Sequence, residues 1–164
     1  MKHRLRFALL FVFAFGLAAC DHTVEHAVDP DPAEVRGFPE QSLTIERRGG
    51  SDTLRVWVAD SQERQHQGLM FVRAMPRDRG MLFPQAAPRP MTMWMKNTYL
   101  SLDIVFIGTD GTVIGIADNA QPLSEALIES QAPVSAVLEL NAGEAARRGI
   151  ARGDRVVVGA RESR

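Results

Sequence analysis

The chain has 164 residues with a formal net charge of −1, and 24% of its residues are charged. This length suits a single domain, and the near-neutral balance excludes the strongly basic composition of nucleic-acid-binding proteins. Cys20 is the one cysteine, so an intramolecular disulfide is excluded and the folded part must be stabilised by its core alone.

The amino terminus has the pattern of an export signal. Lys2, Arg4 and Arg6 form a basic start, and the apolar run over residues 7–19 follows. This run is shorter than the about 20 residues that a membrane-spanning helix needs. We therefore predict a signal peptide over residues 1–19. Without it the chain has 16 basic and 20 acidic residues, a net charge of −4, which again argues against nucleic acid as a partner.

The motif Leu17-Ala18-Ala19-Cys20 resembles the lipobox of bacterial lipoproteins. In such proteins the signal is cut before the cysteine and the thiol takes a diacylglycerol. The alternative is an ordinary signal peptide with a chance cysteine. We expect Cys20 to be lipidated and the protein to be anchored to a membrane of the cell envelope. Asp21 resembles the inner-membrane retention signal of some proteobacteria, which favours that membrane.

Residues 20–40 are acidic and contain Pro30, Pro32 and Pro39 but few large apolar side chains. Such a segment cannot bury enough surface to order itself, so it is predicted to be a flexible tether. One folded domain is expected over residues 41–164.

The domain begins with a predicted hairpin, because residues 42–48 and 53–59 alternate polar and apolar around Gly49-Gly50. Asp60 is expected to cap a helix that ends at Gly68.

The stretch over residues 91–106 is rich in strand-forming residues. A strand beginning at Met91 would place Met93, Met95 and Asn97 on its own face, with Trp94 and Lys96 opposite.

Residues 102–108 and 112–118 are predicted to form a hairpin around Asp110-Gly111. A two-residue turn would place Asp103 opposite Asp118, so a basic residue is expected beside Asp103. The alternative is a bulge that carries Asp118 into water.

The remaining elements are a connection or short helix over residues 122–133, a strand over 134–140, a helix capped by Asn141 and closed by Gly149, and a strand over 155–159. Together these elements predict an α+β domain, mainly antiparallel, with two short helices in a small closed or partly open barrel.

Five motifs occur in order along this domain: Arg64-x-x-x-Gly68-Leu69-Met70-x-x-Arg73, Gly80-Met81-Leu82-Phe83, Trp94-Met95-Lys96-Asn97-Thr98, Leu102-Asp103-Ile104-Val105-Phe106, and Val137-Leu138-Glu139-Leu140 with Gly143. In this order they resemble the domain of unknown function 192 family, which is found in bacteria and archaea and is often exported. The resemblance covers residues 54–158. It implies a small β-rich domain and no established activity.

Polar residues within or beside apolar strands are the candidates for a ligand-binding site: Arg64, Arg73, Trp94, Lys96, Asn97, Asp103 and Glu139. One interpretation is a pocket whose cations hold an anionic ligand against the flat face of Trp94. The other is a set of buried ion pairs that fix the register of the sheet.

Two further interpretations use different residues. Asp103 and Glu139 could act as the acid/base pair of a hydrolase. Met91, Met93 and Met95 could bind Cu(I), although methionines that fill an irregular core are favoured. We expect a non-enzymatic envelope lipoprotein without a cofactor or resident metal, whose domain binds a small ligand or another envelope component.

Overall fold

The structure of the chain, a computed structural model, describes residues 32–161. The predicted signal peptide, Cys20 and the first part of the tether lie outside this range. The strands are β1 Glu40–Arg47, β2 Gly50–Val58, β3 Arg79–Arg89, β4 Thr92–Met93, β5 Leu102–Ile107, β6 Val113–Ala120, β7 Ile128–Glu129, β8 Val134–Asn141 and β9 Arg155–Arg161. The helices are α1 Gln62–Gln67 and α2 Glu144–Arg148, and Ala33–Val35 forms a 3₁₀ turn. Within residues 32–161, no helix is long and apolar enough to cross a bilayer.

Seven strands form one sheet in the order β6-β5-β8-β3-β2-β1-β9, and β4 pairs with β7 in a separate ribbon. Within the main sheet every pairing is antiparallel except that of β2 with β3. The sheet curls until its edges meet at one end, where the Val113 amide donates to the Asp154 carbonyl at 2.8 Å. The predicted α+β, mainly antiparallel class is therefore confirmed. The barrel prediction is confirmed only in part, because the edges are bridged at one end and the ring is not closed.

Apolar side chains pack on both faces of the curled sheet. The concave face carries a core that runs from Val113 and Val156 at the edges to Leu138 in the centre, and Ala145 and Ile150 close it. The outer face carries a second core: Trp57, Met81, Ile104, Phe106 and Val137 from the sheet, covered by Val35, Phe38, Leu69, Val72, Met75, Met91, Met93 and Met95. Because both faces are covered, the central strands β8 and β5 are almost continuously buried.

The folded domain begins earlier than the predicted boundary at residue 41. Val35 and Phe38 are 1% and 6% exposed and belong to the outer core, and Glu40 opens β1. These two apolar side chains attach the chain before β1 to the outer core.

The predicted hairpins are both present. β1 pairs with β2 from Glu40–Trp57 to Arg47–Gly50 without interruption. In the β5–β6 hairpin, Val105 lies opposite Ile116 as predicted, but bulges shift the register on both sides of that stretch. Leu102 consequently lies opposite Ala120, and Asp118 is exposed. The bulge that we gave as the alternative is the one that the structure contains.

Three local predictions are wrong. The strand expected from Met91 is limited to Thr92–Met93, and a turn-rich segment continues to β5. Ser61 caps α1 in place of Asp60, since the Ser61 hydroxyl accepts a hydrogen bond from the Arg64 amide at 3.2 Å. Gly143 precedes α2 where Asn141 was expected as the cap.

Asp103 is fully buried and satisfies backbone groups from two other elements. Its carboxylate accepts hydrogen bonds from the Asn119 amide at 3.0 Å and from the Ala145 amide, in the first turn of α2, at 2.9 Å. Among the described residues no lysine or arginine nitrogen lies within 4.0 Å of it, so the predicted ion pair at Asp103 is wrong. Backbone donors replace the cation, because amides can satisfy a buried carboxylate.

Replacing Asp103 with Ala should therefore destabilise the domain by about 3 kcal/mol or more, because two amides lose a charged acceptor. The matched control is Asp118→Ala, which removes an exposed carboxylate from the same hairpin and should change stability by less than about 0.5 kcal/mol. Urea unfolding of the two variants measures the difference. Equal free energies of unfolding would contradict this role for Asp103.

Candidate functional site

A cleft of about 660 Å³ opens on the outer face of the sheet, a volume within the usual range of small-ligand sites. One wall is α1 with the turn that follows it, and the other is β4 with the segment up to Thr98. Glu139 of β8 and Phe83 of β3 bring the sheet itself into the lining. The lining residues are Gln62, Glu63, Gln65, His66, Gln67, Gly68, Leu69, Met70, Phe83, Met91, Thr92, Met93, Trp94, Lys96, Thr98 and Glu139.

Hydrogen bonds hold the α1 wall against the sheet. The side-chain nitrogen Nε2 of Gln65 donates a hydrogen bond to the Pro84 carbonyl at 2.9 Å, which holds the helix against β3. The side-chain nitrogen Nε2 of Gln67 donates a hydrogen bond to the Met70 carbonyl at 3.1 Å, which fixes the turn after the helix. Gly68 ends the helix with φ 47°, a conformation that glycine adopts readily.

The opposite wall is held by a polar contact to the segment that carries β7. The Met91 amide donates to the Ser130 hydroxyl at 2.9 Å, and the Ser130 amide donates to the Met91 carbonyl at 2.8 Å. The Met95 amide donates to the Ser124 carbonyl at 2.9 Å. These bonds hold Met91, Met93 and Trp94 beside the cleft even though only two residues of the segment are in a strand.

Glu139 is 4% exposed, and its side chain makes no hydrogen bond or ion pair within the described part of the chain. Its cross-strand partners are Met81 and Ile104, so its carboxyl group lies among apolar side chains of the outer core. The Oε2 atom is buried without a partner. Burial raises the pKa of Glu139 to about 8, so the group is protonated at neutral pH.

Trp94 and Lys96 lie at the mouth of the cleft. The Lys96 ammonium is 5.2 Å from the centre of the Trp94 ring, a cation–π distance. Lys96 is half-buried and has no ion pair within residues 32–161. Trp94 is 41% exposed, which is high for an indole in a folded domain and leaves part of the ring accessible.

Of the seven predicted site residues, Trp94, Lys96 and Glu139 line the cleft, and the other four lie elsewhere. Arg64 pairs with Asp60 at 2.5 Å. Arg73 lies 4.7 Å from the centre of the Tyr99 ring. The Asn97 amide nitrogen is 3.9 Å from the Met70 sulfur.

The sequence interpretation missed the polar face of α1, above all His66, Gln65 and Gln67. A glutamine-rich helix between two strands was the available signal, but nothing local showed which face it covers.

The proposed acid/base pair of Asp103 and Glu139 is not formed. Ile104 is the cross-strand partner of Glu139, and Asp103 is the partner of Leu140. Because side chains alternate along a strand, the two carboxyl groups point to opposite faces of the sheet. A hydrolase that uses both on one substrate is therefore excluded.

The methionine set of the copper interpretation is divided. Met91 and Met93 line the cleft together with Met70, whereas Met95 is fully buried and does not. Within residues 32–161 no group of three or more His, Cys, Asp or Glu side chains could hold a metal ion. All three predicted methionines belong to the outer core, as the favoured interpretation has it.

The buried ion pairs of the described chain use other residues than those predicted. Glu40 accepts from Arg79 at 2.6 Å and from Arg55 at 2.7 Å. Glu144 is also buried, and the Arg147 guanidinium beside it lowers the pKa of that carboxyl group. Both carboxylates have cations beside them, whereas Glu139 has none within the part of the chain that the structure describes.

A curled, mostly antiparallel sheet with a cleft on its outer face defines this chain as a small α+β domain. The model of the DUF192 family, described as an uncharacterised ACR, matches residues 43–158, and the chain belongs to this family. No curated protein matches it.

The solved structures that are similar to this chain include the following two. One is from Sinorhizobium meliloti 1021 and is provisionally named a transcription regulator. It is 45% identical with a TM-score of 0.72, over 74% of this chain and 95% of the other. The second is a protein of unknown function from Novosphingobium aromaticivorans DSM 12444. It is 35% identical with a TM-score of 0.71, and the match covers 78% of this chain and 98% of the other.

Glu139 should lower the stability of the domain as the pH rises. Its folded-state pKa of about 8 exceeds the ordinary carboxyl value of 4.5. Its favourable contribution is therefore complete below pH 4.5 and is lost as the pH rises towards 8. Glu139→Gln should consequently be more stable than the wild type at neutral pH, by about 3 kcal/mol, and close to it in acid.

Urea melts of both proteins between about pH 5 and pH 8 measure this difference. Subtracting the two curves removes the contribution of Glu144, which titrates in both proteins. A difference that does not change with pH would contradict the isolated carboxyl group.

Proposed function

We propose that this chain is a lipid-anchored protein of the cell envelope whose domain binds a small ligand in the cleft over Glu139. The observation that carries the proposal is the buried, unpartnered carboxyl group of Glu139 in a cleft of ligand size. Membership of an uncharacterised family adds no activity of its own.

The energetic argument starts from the cost of the orphan group. A buried polar group without a hydrogen bond costs about 1–3 kcal/mol. A methionine or leucine at position 139 would fill the same place in the outer core without that cost. A ligand that hydrogen-bonds to Glu139 removes the penalty, so the position favours a bound state.

Binding is a better proposal than catalysis because of the lining chemistry. Neither serine nor cysteine is among the lining residues, and the second buried carboxylate, Asp103, points to the other face. Nucleic acid is not part of the proposal, since the chain without its signal has a net charge of −4, and the name of the S. meliloti protein is not extended to this one.

The ligand-binding part is tested by native mass spectrometry of the full chain purified in mild detergent from its own host. We expect a non-covalent adduct of small-molecule mass on the wild type. Thr92 is an exposed lining residue, so Thr92→Trp should fill the cleft and remove the adduct.

The matched control is Thr109→Trp, which adds the same side chain at an exposed turn remote from the lining and should keep the adduct. An adduct that survives in Thr92→Trp would place the ligand elsewhere. Loss in both variants would mean that the adduct does not depend on the cleft.

The anchor has its own test. Cys20→Ser removes the thiol that a lipoprotein needs for diacylglycerol attachment, and the variant should be misprocessed or released from the membrane. Cell fractionation followed by detergent phase partition compares the two proteins. If both fractionate as soluble proteins, the lipid anchor is wrong, and the ligand proposal is unaffected.

A further inference from the structure

Several residues of the cleft lining carry hydrogen-bond acceptors. The side-chain amides of Gln65 and Gln67 each donate one hydrogen bond to a backbone carbonyl, and their side-chain oxygens remain available as acceptors. The thioethers of Met70, Met91 and Met93 add weak acceptors. A ligand that brings donors can form hydrogen bonds with these acceptors and with the carboxyl group of Glu139.

The indole at the mouth already carries a cation. The Lys96 ammonium lies 5.2 Å from the centre of the Trp94 ring without a carboxylate partner among the described residues. An aromatic face holds an ammonium group through its negative quadrupole. Trp94 is 41% exposed, so part of its surface is accessible to a second group.

Resting on the proposed function, we propose that the ligand is an organic cation, an ammonium group carried on an apolar chain, whose charged head pairs with Glu139. The apolar chain lies against Leu69, Phe83 and the methionines, and the ammonium donates to the carboxylate. On binding, the carboxyl proton of Glu139 passes to solvent and an ion pair forms in its place, so charge and protons balance.

Three ionisable side chains line the cleft together with Glu139. Glu63 and His66 line the cleft from α1, and Lys96 lines it from the segment after β4. Phe83 is the lining residue of β3 and carries no charge. An anionic ligand head beside Glu139 would favour the protonated carboxyl group, whereas an ammonium head favours the ionised carboxylate. Lys96 lies at the mouth with the ring of Trp94.

Three probes of equal chain length separate the ligand classes: hexylammonium, 1-hexanol and hexanoate. Each is titrated calorimetrically into the full chain in detergent and into Glu139→Gln, which corrects for partition into micelles. We expect hexylammonium to bind the wild type and to bind Glu139→Gln at least about tenfold more weakly. The heats in two buffers of different ionisation enthalpy should show proton release.

The pH dependence follows from the Glu139 pKa of about 8. Hexylammonium affinity should fall about tenfold from about pH 9 to about pH 7, because the carboxyl group must be deprotonated first. Lys96→Met should strengthen hexylammonium binding, because it removes a like charge at the mouth.

The outcomes separate the two proposals. If hexanol or hexanoate binds and hexylammonium does not, the cation inference is wrong and the ligand-binding function stands. Hexylammonium binding that is equal in Glu139→Gln, or weaker in Lys96→Met, also overturns the inference. If none of the three probes binds, while native mass spectrometry shows no adduct, both proposals fail.

Discussion

The parallel pairing of β2 with β3 is the constraint from which the cleft follows. Parallel neighbours need a crossover, so the chain between Val58 and Arg79 must traverse one face of the sheet. This crossover contains α1 and residues 69–75, of which Leu69, Val72 and Met75 pack on the outer core. The opposite wall of the cleft comes from β4 and the turn-rich segment that follows it. Glu139 is on β8, an interior strand of the sheet, and lies beneath both walls of the cleft, so its carboxyl group has apolar neighbours instead of water.

The partners of the buried carboxyl groups distinguish the structural acidic residues from the candidate functional one. Asp103 has backbone amides, Glu40 has Arg79, and Glu144 has Arg147, so each buried charge is compensated. Glu139 has no such partner among residues 32–161 and is neutral at neutral pH. The buried carboxyl group of Glu139 lowers the stability of the domain. Such a loss of stability at one residue is common where a site is built for a ligand.

The sequence predicts those parts that depend on near neighbours. The β1–β2 hairpin and β8 follow from alternating or continuous apolar residues, and the end of α1 follows from Gly68. Pro84 and Pro88 concealed the length of β3, because proline is unusual in a strand. The face of the sheet on which a side chain lies depends on the pairing of strands that are distant in sequence. The sequence therefore identifies Glu139 and Asp103 as buried acids but does not show that they lie on opposite faces. The α1 wall was missed for the same reason.

The mouth of the cleft is fixed by backbone conformations that non-glycine residues rarely adopt. Phe71, Asn97 and Leu123 have φ of 66°, 56° and 61°. The Phe71 amide donates to the Asn97 carbonyl at 2.9 Å, and the Leu123 amide donates to the Thr98 carbonyl at 3.1 Å. Such conformations cost about 1–3 kcal/mol each and persist where the surrounding contacts determine them. Because these bonds join three separate segments beside the cleft, its walls are ordered before a ligand arrives, which reduces the entropic cost of binding.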